Sequence, residues 1–86
     1  MDNVIIDVRE PAEYANGHVK GAINISQAEL TSDTKKLNNI AKDAPIILYC
    51  QSGSRSNAFK NILESMGYTS ITNGINKQQV EAKYGL

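Results

Sequence analysis

The sequence predicts an α/β fold built on a mainly parallel sheet. Three observations carry this. Residues 4–8 and 46–49 are short, nearly unbroken runs of β-branched and aliphatic side chains, the pattern of strands covered on both faces. Apolar residues at helical spacing follow each run, and Gly, Pro and Asn pairs separate the segments. Strand and helix alternating at this interval suit layers of helix on a parallel sheet.

Taken in order, the first strand (4–8) runs into the charged cluster Asp7, Arg9 and Glu10. Pro11 suits a first helical turn, so 11–16 reads as a short helix halted at Asn16-Gly17. Residues 22–25 give a second short strand. Ser26 and Glu29 have the spacing of a capping box, and Leu30, Thr34, Leu37 and Ile40/Ala41 share one side of a helix that breaks near Thr31. Pro45 closes that segment, and strand 46–49 leads directly to Cys50. After a polar loop, Ala58, Phe59, Ile62, Leu63 and Met66 mark a helix over 55–66, stopped by Gly67. Residues 69–72 read as a fourth strand and Asn73-Gly74 as a turn. Asn76 then caps a final helix ending at Tyr84-Gly85. Asp7 and Cys50 both fall at strand C-termini, the edge where such sheets bind ligands.

An 86-residue chain has room for one core, so 1–86 is expected to be a single domain. Nine basic residues balance nine acidic ones, which leaves no global field for nucleic acid or anionic lipid, and neither is expected as a partner. No apolar run approaches the roughly 20 residues of a membrane span. No secretory start is visible, so a cytoplasmic location is expected, or a periplasmic one where a signal segment has been removed. A lone cysteine forms no internal disulfide, and without a His and Cys cluster neither a metal nor a cofactor is expected.

The chemistry concentrates in Cys50-Gln51-Ser52-Gly53-Ser54-Arg55-Ser56. A strand delivers a cysteine to a small-residue loop that feeds a helix N-terminus. Free N–H groups there, the helix dipole and Arg55 all favour a thiolate. Ser52, Gly53 and Ser54 let the backbone amides converge into a nest for an oxyanion or persulfide. The bland alternative makes Cys50 a core thiol at a strand end and Arg55 a solvated surface residue.

This loop resembles the active-site loop of rhodanese-like domains. The stretches Ile6-Asp-Val-Arg-Glu-Pro-Ala-Glu-Tyr14 and Gly17-His-Val-Lys-Gly-Ala-Ile-Asn-Ile25 resemble that family's amino-terminal signature. The likeness runs from about Val4 to Gly74, and the compact form is similar to thiosulfate sulfurtransferases of the phage-shock-protein-E type. The resemblance implies a rhodanese-like sheet of about five mostly parallel strands with helices on both faces. It implies that Cys50 carries a persulfide, taking sulfur from small anions such as thiosulfate and passing it to cyanide or a thiol, a protein acceptor included. Gln51 to Ser56 would bind the donor, with Arg55 holding its charge and stabilising the thiolate. Asp7, Arg9, Glu13 and His18 match the amino-terminal signature. Asp7 is expected to shape the site by pairing with Arg9 or capping a helix, Glu13 to be a charge partner, and His18 to be fixed by local hydrogen bonds. The chain departs from the family where many members carry Gly-Gly and a tryptophan, reading Asn73-Gly74-Ile75-Asn76-Lys77 with no tryptophan.

Two alternatives remain open at this point. A cysteine phosphatase or arsenate reductase also sets a thiolate beside an arginine, but with five residues between them, whereas Cys50 and Arg55 are separated by four. A non-enzymatic rhodanese-like module or sulfur carrier would retain the same fold.

Overall fold

The two apolar runs lie side by side, because strands without polar alternation need cover above and below. A computed structural model describes residues 3–32 and 35–86. Its elements are β1 (Val4–Asp7), α1 (Pro11–Ala15), β2 (Ile23–Asn24), α2 (Gln27–Ser32), a 3₁₀ turn (Lys35–Leu37), β3 (Ile46–Cys50), α3 (Ser54–Ser65), β4 (Ile71–Asn76) and α4 (Lys77–Tyr84). The strands form one sheet in the order β2-β1-β3-β4, every pair parallel. The described residues thus hold four strands, close to the five or so that the resemblance implies. Register sets Ile6 opposite Leu48 and Asp7 opposite Tyr49, so β1 and β3 end at the same edge.

Side chains alternate between two packed faces. Val4, Ile6 and Val8 join Ile46, Leu48 and Cys50 on one face, under Leu30 of α2, Leu37 of the 3₁₀ turn, and Phe59 and Leu63 of α3. Ile5, Ile47 and Tyr49 point the other way, against Tyr14 of α1 and Val80 and Tyr84 of α4. Fully burying each Ile, Leu or Phe contributes about 1.5–3 kcal/mol, so α3, which supplies two such anchors, is held firmly to β3. Among the described residues, no helix is long and apolar enough to cross a membrane.

Local chemistry explains where the elements begin and stop. Ser26 and Glu29 cap α2 reciprocally: the Glu29 N–H donates to Ser26 Oγ and the Ser26 N–H to Glu29 Oε1, both at 3.3 Å. α2 is described as far as Ser32. There the Thr31 and Ser32 hydroxyls donate back to the carbonyls of Gln27 and Ala28, a local bonding that competes with helix continuation. Thr34, read onto the same helix face, lies outside the described residues. Asn76 caps α4 by accepting from the Gln79 N–H at 2.9 Å.

The last strand differs from the sequence expectation of a strand at 69–72 and a turn at Asn73-Gly74. β4 begins later and runs straight through that pair to Asn76, with an irregularity in its pairing opposite Leu48 and Cys50. Gly74 serves close approach. A Cβ there would stand 2.5 Å from Val80 Cγ2 and 3.1 Å from the Leu48 carbonyl oxygen. The missing side chain is what lets α4 fold back on β4.

Gly74→Ala should therefore force α4 away from the sheet and cost about 1–3 kcal/mol, the usual range for overpacking. A lower urea midpoint with an unchanged slope would show it; an unchanged midpoint would contradict the close approach.

Candidate active site

Cys50 is the last residue of β3, and its Sγ lies at the floor of the turn into α3 with the residue 2% exposed. The chain reverses in three residues because Gly53 adopts φ 93°, a left-handed conformation that costs a glycine nothing. That conformation aims the Gly53 N–H at Sγ, 3.1 Å away, and starts α3 at Ser54, one residue before the expected start. Ser56, fully buried on the first turn of α3, sets its Oγ 3.5 Å from Sγ. Ser52 and Ser54 are exposed and bond each other at 3.3 Å, and Gln51 is exposed. Burial pushes the Cys50 thiol up, but the Ser56 hydroxyl and the amides of Ser56, Ser52 and Gly53 outweigh it and hold the thiol near 7. About half the thiol is then ionised at neutral pH.

Arg55 is engaged elsewhere. Its Nη1 and Nη2 donate to the two carboxylate oxygens of Glu13 at 2.7 and 3.1 Å, joining α3 to α1 in a forked pair. The Arg55 hydrogen bonds hold the Glu13 carboxyl down at about 2, and Glu13 in turn raises the Arg55 guanidinium. The charge of Arg55 acts on Cys50 through space, but the groups touching Sγ are neutral.

The remaining amino-terminal residues form a second cluster on the opposite sheet face. The fully buried Asp7 carboxylate accepts from the Arg9 N–H at 2.9 Å, from Arg9 Nε at 2.9 and 3.1 Å, from Arg9 Nη2 at 2.7 Å and from the Tyr49 hydroxyl at 2.9 Å. Tyr49 Oη accepts the Val19 N–H at 3.0 Å, and Arg9 Nη2 also donates to the Gly17 carbonyl. Burial is the main reason the Tyr49 hydroxyl is pushed up to about 12, so it stays a donor. His18 stacks on Tyr14 with ring centroids 3.7 Å apart, and its Nδ1 donates to the Tyr14 carbonyl. The structure thus brings Glu13 to Arg55 and ties Asp7 and Arg9 to the residue before Cys50, while His18, three residues past α1, folds back on Tyr14 of that helix.

Three site residues escape sequence reasoning. Asn73 of β4 accepts from Ser56 Oγ at 2.6 Å and donates from Nδ2 to the Gly53 carbonyl at 3.0 Å, bracing the loop from outside. An asparagine inside a strand is a poor strand former, and that was the available signal. Ile75 has φ 76°, rare for a β-branched residue, and its side chain packs against Gly53. Tyr49, whose hydroxyl fixes Asp7, reads in sequence only as strand. Among the described residues, no three His, Cys, Asp or Glu side chains converge as a metal site.

Comparison with known proteins places these features in context. The family model for the rhodanese-like domain matches residues 1–77. The uncharacterized protein YqhL of Bacillus subtilis (strain 168) is 42% identical over 69 residues, which cover 80% of this chain and 52% of that protein. Thiosulfate sulfurtransferase PspE of Escherichia coli (strain K12) is 40% identical over 68 residues, covering 79% and 64%. This chain therefore spans about half to two thirds of those relatives' length. A solved structure described as rhodanese with anions from E. coli superposes with a TM-score of 0.79 at 35% identity, over 91% of each chain.

The rate of Cys50 alkylation by iodoacetamide should rise with pH around a midpoint near 7, two units below an ordinary thiol at 9. Ser56→Ala should move that midpoint upward. Arg55→Ala should move it less, since only a through-space charge is lost. A larger shift from Arg55→Ala would show the guanidinium to be the main activator.

Proposed function

The chain belongs to the rhodanese-like domain family, and from that premise we propose that it is a sulfurtransferase whose reactive group is the Cys50 thiolate. The observation that carries this reading is the loop itself: a buried Sγ receiving the Gly53 N–H at 3.1 Å, in a setting that holds the thiol near 7. An amide nest accepts a compact anionic sulfur in the same way as it accepts the thiolate, and it needs no reorganisation between the two.

In the first half reaction the Cys50 thiolate attacks the outer sulfur of thiosulfate. The sulfur–sulfur bond of the donor breaks, sulfite leaves with its electron pair, and Cys50 becomes a persulfide bearing the negative charge on its outer atom. In the second, cyanide or a thiolate attacks that outer sulfur, and the bond to Sγ breaks to regenerate the Cys50 thiolate. Charge moves by one sulfur atom per step. The convergent amides can follow it, which is why a loop of neutral donors suits the chemistry. Arg55 commits two of its five N–H donors to Glu13. With a side chain 31% exposed, it retains donors and charge to attract an anionic sulfur source at the rim. Glu13 keeps the guanidinium in place and stays ionised down to about pH 2.

The reading is tested by intact mass. Incubation with thiosulfate should add one sulfur, about 32 Da, and cyanide should remove it, with parallel initial-rate lines in steady state. Cys50→Ser should abolish both. Rates with thiosulfate, mercaptopyruvate and a phosphate ester on one preparation separate the alternatives. Phosphate release without sulfur transfer would mark a cysteine phosphatase and overturn the proposal.

A further inference from the structure

Three hydrogen bonds around Asn73 determine where a single proton can point. Its carboxamide faces the Ile75 N–H with Oδ1 at 3.0 Å and the Gly53 carbonyl with Nδ2 at 3.0 Å. A backbone N–H only donates and a backbone carbonyl only accepts, so the amide has one orientation. Oδ1 also lies 2.6 Å from Ser56 Oγ, and of these two oxygens only the hydroxyl has a proton to give. Ser56 has just one. While that proton serves Asn73, Ser56 can accept from a Cys50 S–H across the 3.5 Å gap but cannot donate to a thiolate.

We infer that Asn73 is a positioning residue that governs the Ser56 proton: of the three acceptors in reach of the hydroxyl, Asn73 Oδ1 at 2.6 Å is nearer than the Gly53 carbonyl at 3.2 Å and Sγ at 3.5 Å. The hydroxyl points to Asn73 when Sγ is neutral and to Sγ when Sγ is a thiolate. This deepens the sulfur-transfer reading and rests on it for its place in turnover. In the persulfide the charge has left for the outer sulfur, so Sγ is neutral and the proton returns to Asn73. When an acceptor takes the outer sulfur, the bonding electrons return to Sγ and the hydroxyl turns to meet them. Asn73 thus favours the loaded form over the free thiolate, and the Gly53 amide, which cannot turn, serves both.

The charged side chains on the elements packed around Cys50 lie in pairs. Arg55 of α3 acts on Sγ through space, and Glu13 of α1 is paired with it. Asp7 of β1 and Arg9, two residues beyond it, pair on the opposite sheet face. Lys60 and Glu64 of α3 pair with each other, as do Lys36 of the 3₁₀ turn and Glu29 of α2. β4 contributes no charged side chain, since it reads Ile-Thr-Asn-Gly-Ile-Asn.

The test is a double-mutant cycle on the full chain, read as the pH midpoint of Cys50 alkylation by iodoacetamide. Asn73→Ala removes the nearest competing acceptor, leaving the Gly53 carbonyl at 3.2 Å, and should lower the midpoint by about half a unit to one unit, equivalent to a roughly 3 to 10-fold higher thiolate-to-thiol ratio. In a Ser56→Ala background the same substitution should leave the midpoint where Ser56→Ala alone puts it. Equal shifts in both backgrounds would overturn the inference and reduce Asn73 to a prop for Gly53. Asn73→Asp provides a second cycle should the alanine variant unfold, since it keeps an acceptor toward Ser56 and Ile75. Its added charge acts in both backgrounds and cancels, and the upward shift should be larger with Ser56 present. No excess there would again overturn the inference. Neither cycle uses a sulfur donor, so a failure of persulfide formation would sink the sulfur-transfer reading without altering this result.

Discussion

The buried carboxylate of Asp7 is the constraint on which the rest of the site depends. A charge removed from water is tolerated only where its oxygens are fully occupied and an opposite charge is near. Arg9 and Tyr49 meet both conditions, Arg9 from two residues along the chain and Tyr49 from the adjacent strand. The Tyr49 bond fixes the C-terminal end of β3 relative to β1, and Cys50 is the next residue. The same arginine and tyrosine hold Gly17 and Val19, so the segment between α1 and β2 is drawn in by the same carboxylate. The nucleophile's backbone is thus located by a polar cluster on the face opposite its own side chain.

On the cysteine face the division of labour is different. Sγ is surrounded by amides and a hydroxyl, while the formal charges stand off as a forked pair between α3 and α1. Neutral dipoles fixed by the backbone are little affected by salt, whereas a half-exposed arginine is screened within about 10 Å at 0.1 M ionic strength. The activated state of Cys50 is therefore a property of the turn geometry. The Arg55 and Glu13 pair closes the rim and keeps a cation available to incoming anions.

Much of this was legible in the sequence because it follows from local pattern. The continuous apolar runs gave parallel strands, and the small polar residues after Cys50 gave a tight turn into a helix. What escaped depends on residues distant in the chain. Asn73-Gly74 reads as a turn pair, yet Gly74 is required by the proximity of Val80, and Asn73 by a loop 20 residues earlier. The fork between Arg55 and Glu13 was hidden as well, because nothing in the segment around Arg55 shows which carboxylate, here one 42 residues away, reaches it. The Tyr49 hydroxyl was invisible for the same reason. Ile75 shows the limit from another side: a left-handed backbone at a β-branched residue costs of the order of 1–3 kcal/mol, and sequence gives no sign of it.

The depth of Cys50 also bears on how the protein ages in air. A disulfide between two copies needs their cysteine Cα atoms within roughly 7 Å, which two folded chains cannot reach when the sulfur is recessed beneath a turn and the residue is 2% exposed. Covalent dimerisation is therefore closed to the folded chain. Small oxidants such as peroxide meet no such barrier, and a thiol near 7 offers them a thiolate at neutral pH. With no second cysteine in the chain to trap a sulfenic acid as an internal disulfide, oxidation at this position runs on toward the sulfinic and sulfonic acids unless an external thiol intervenes.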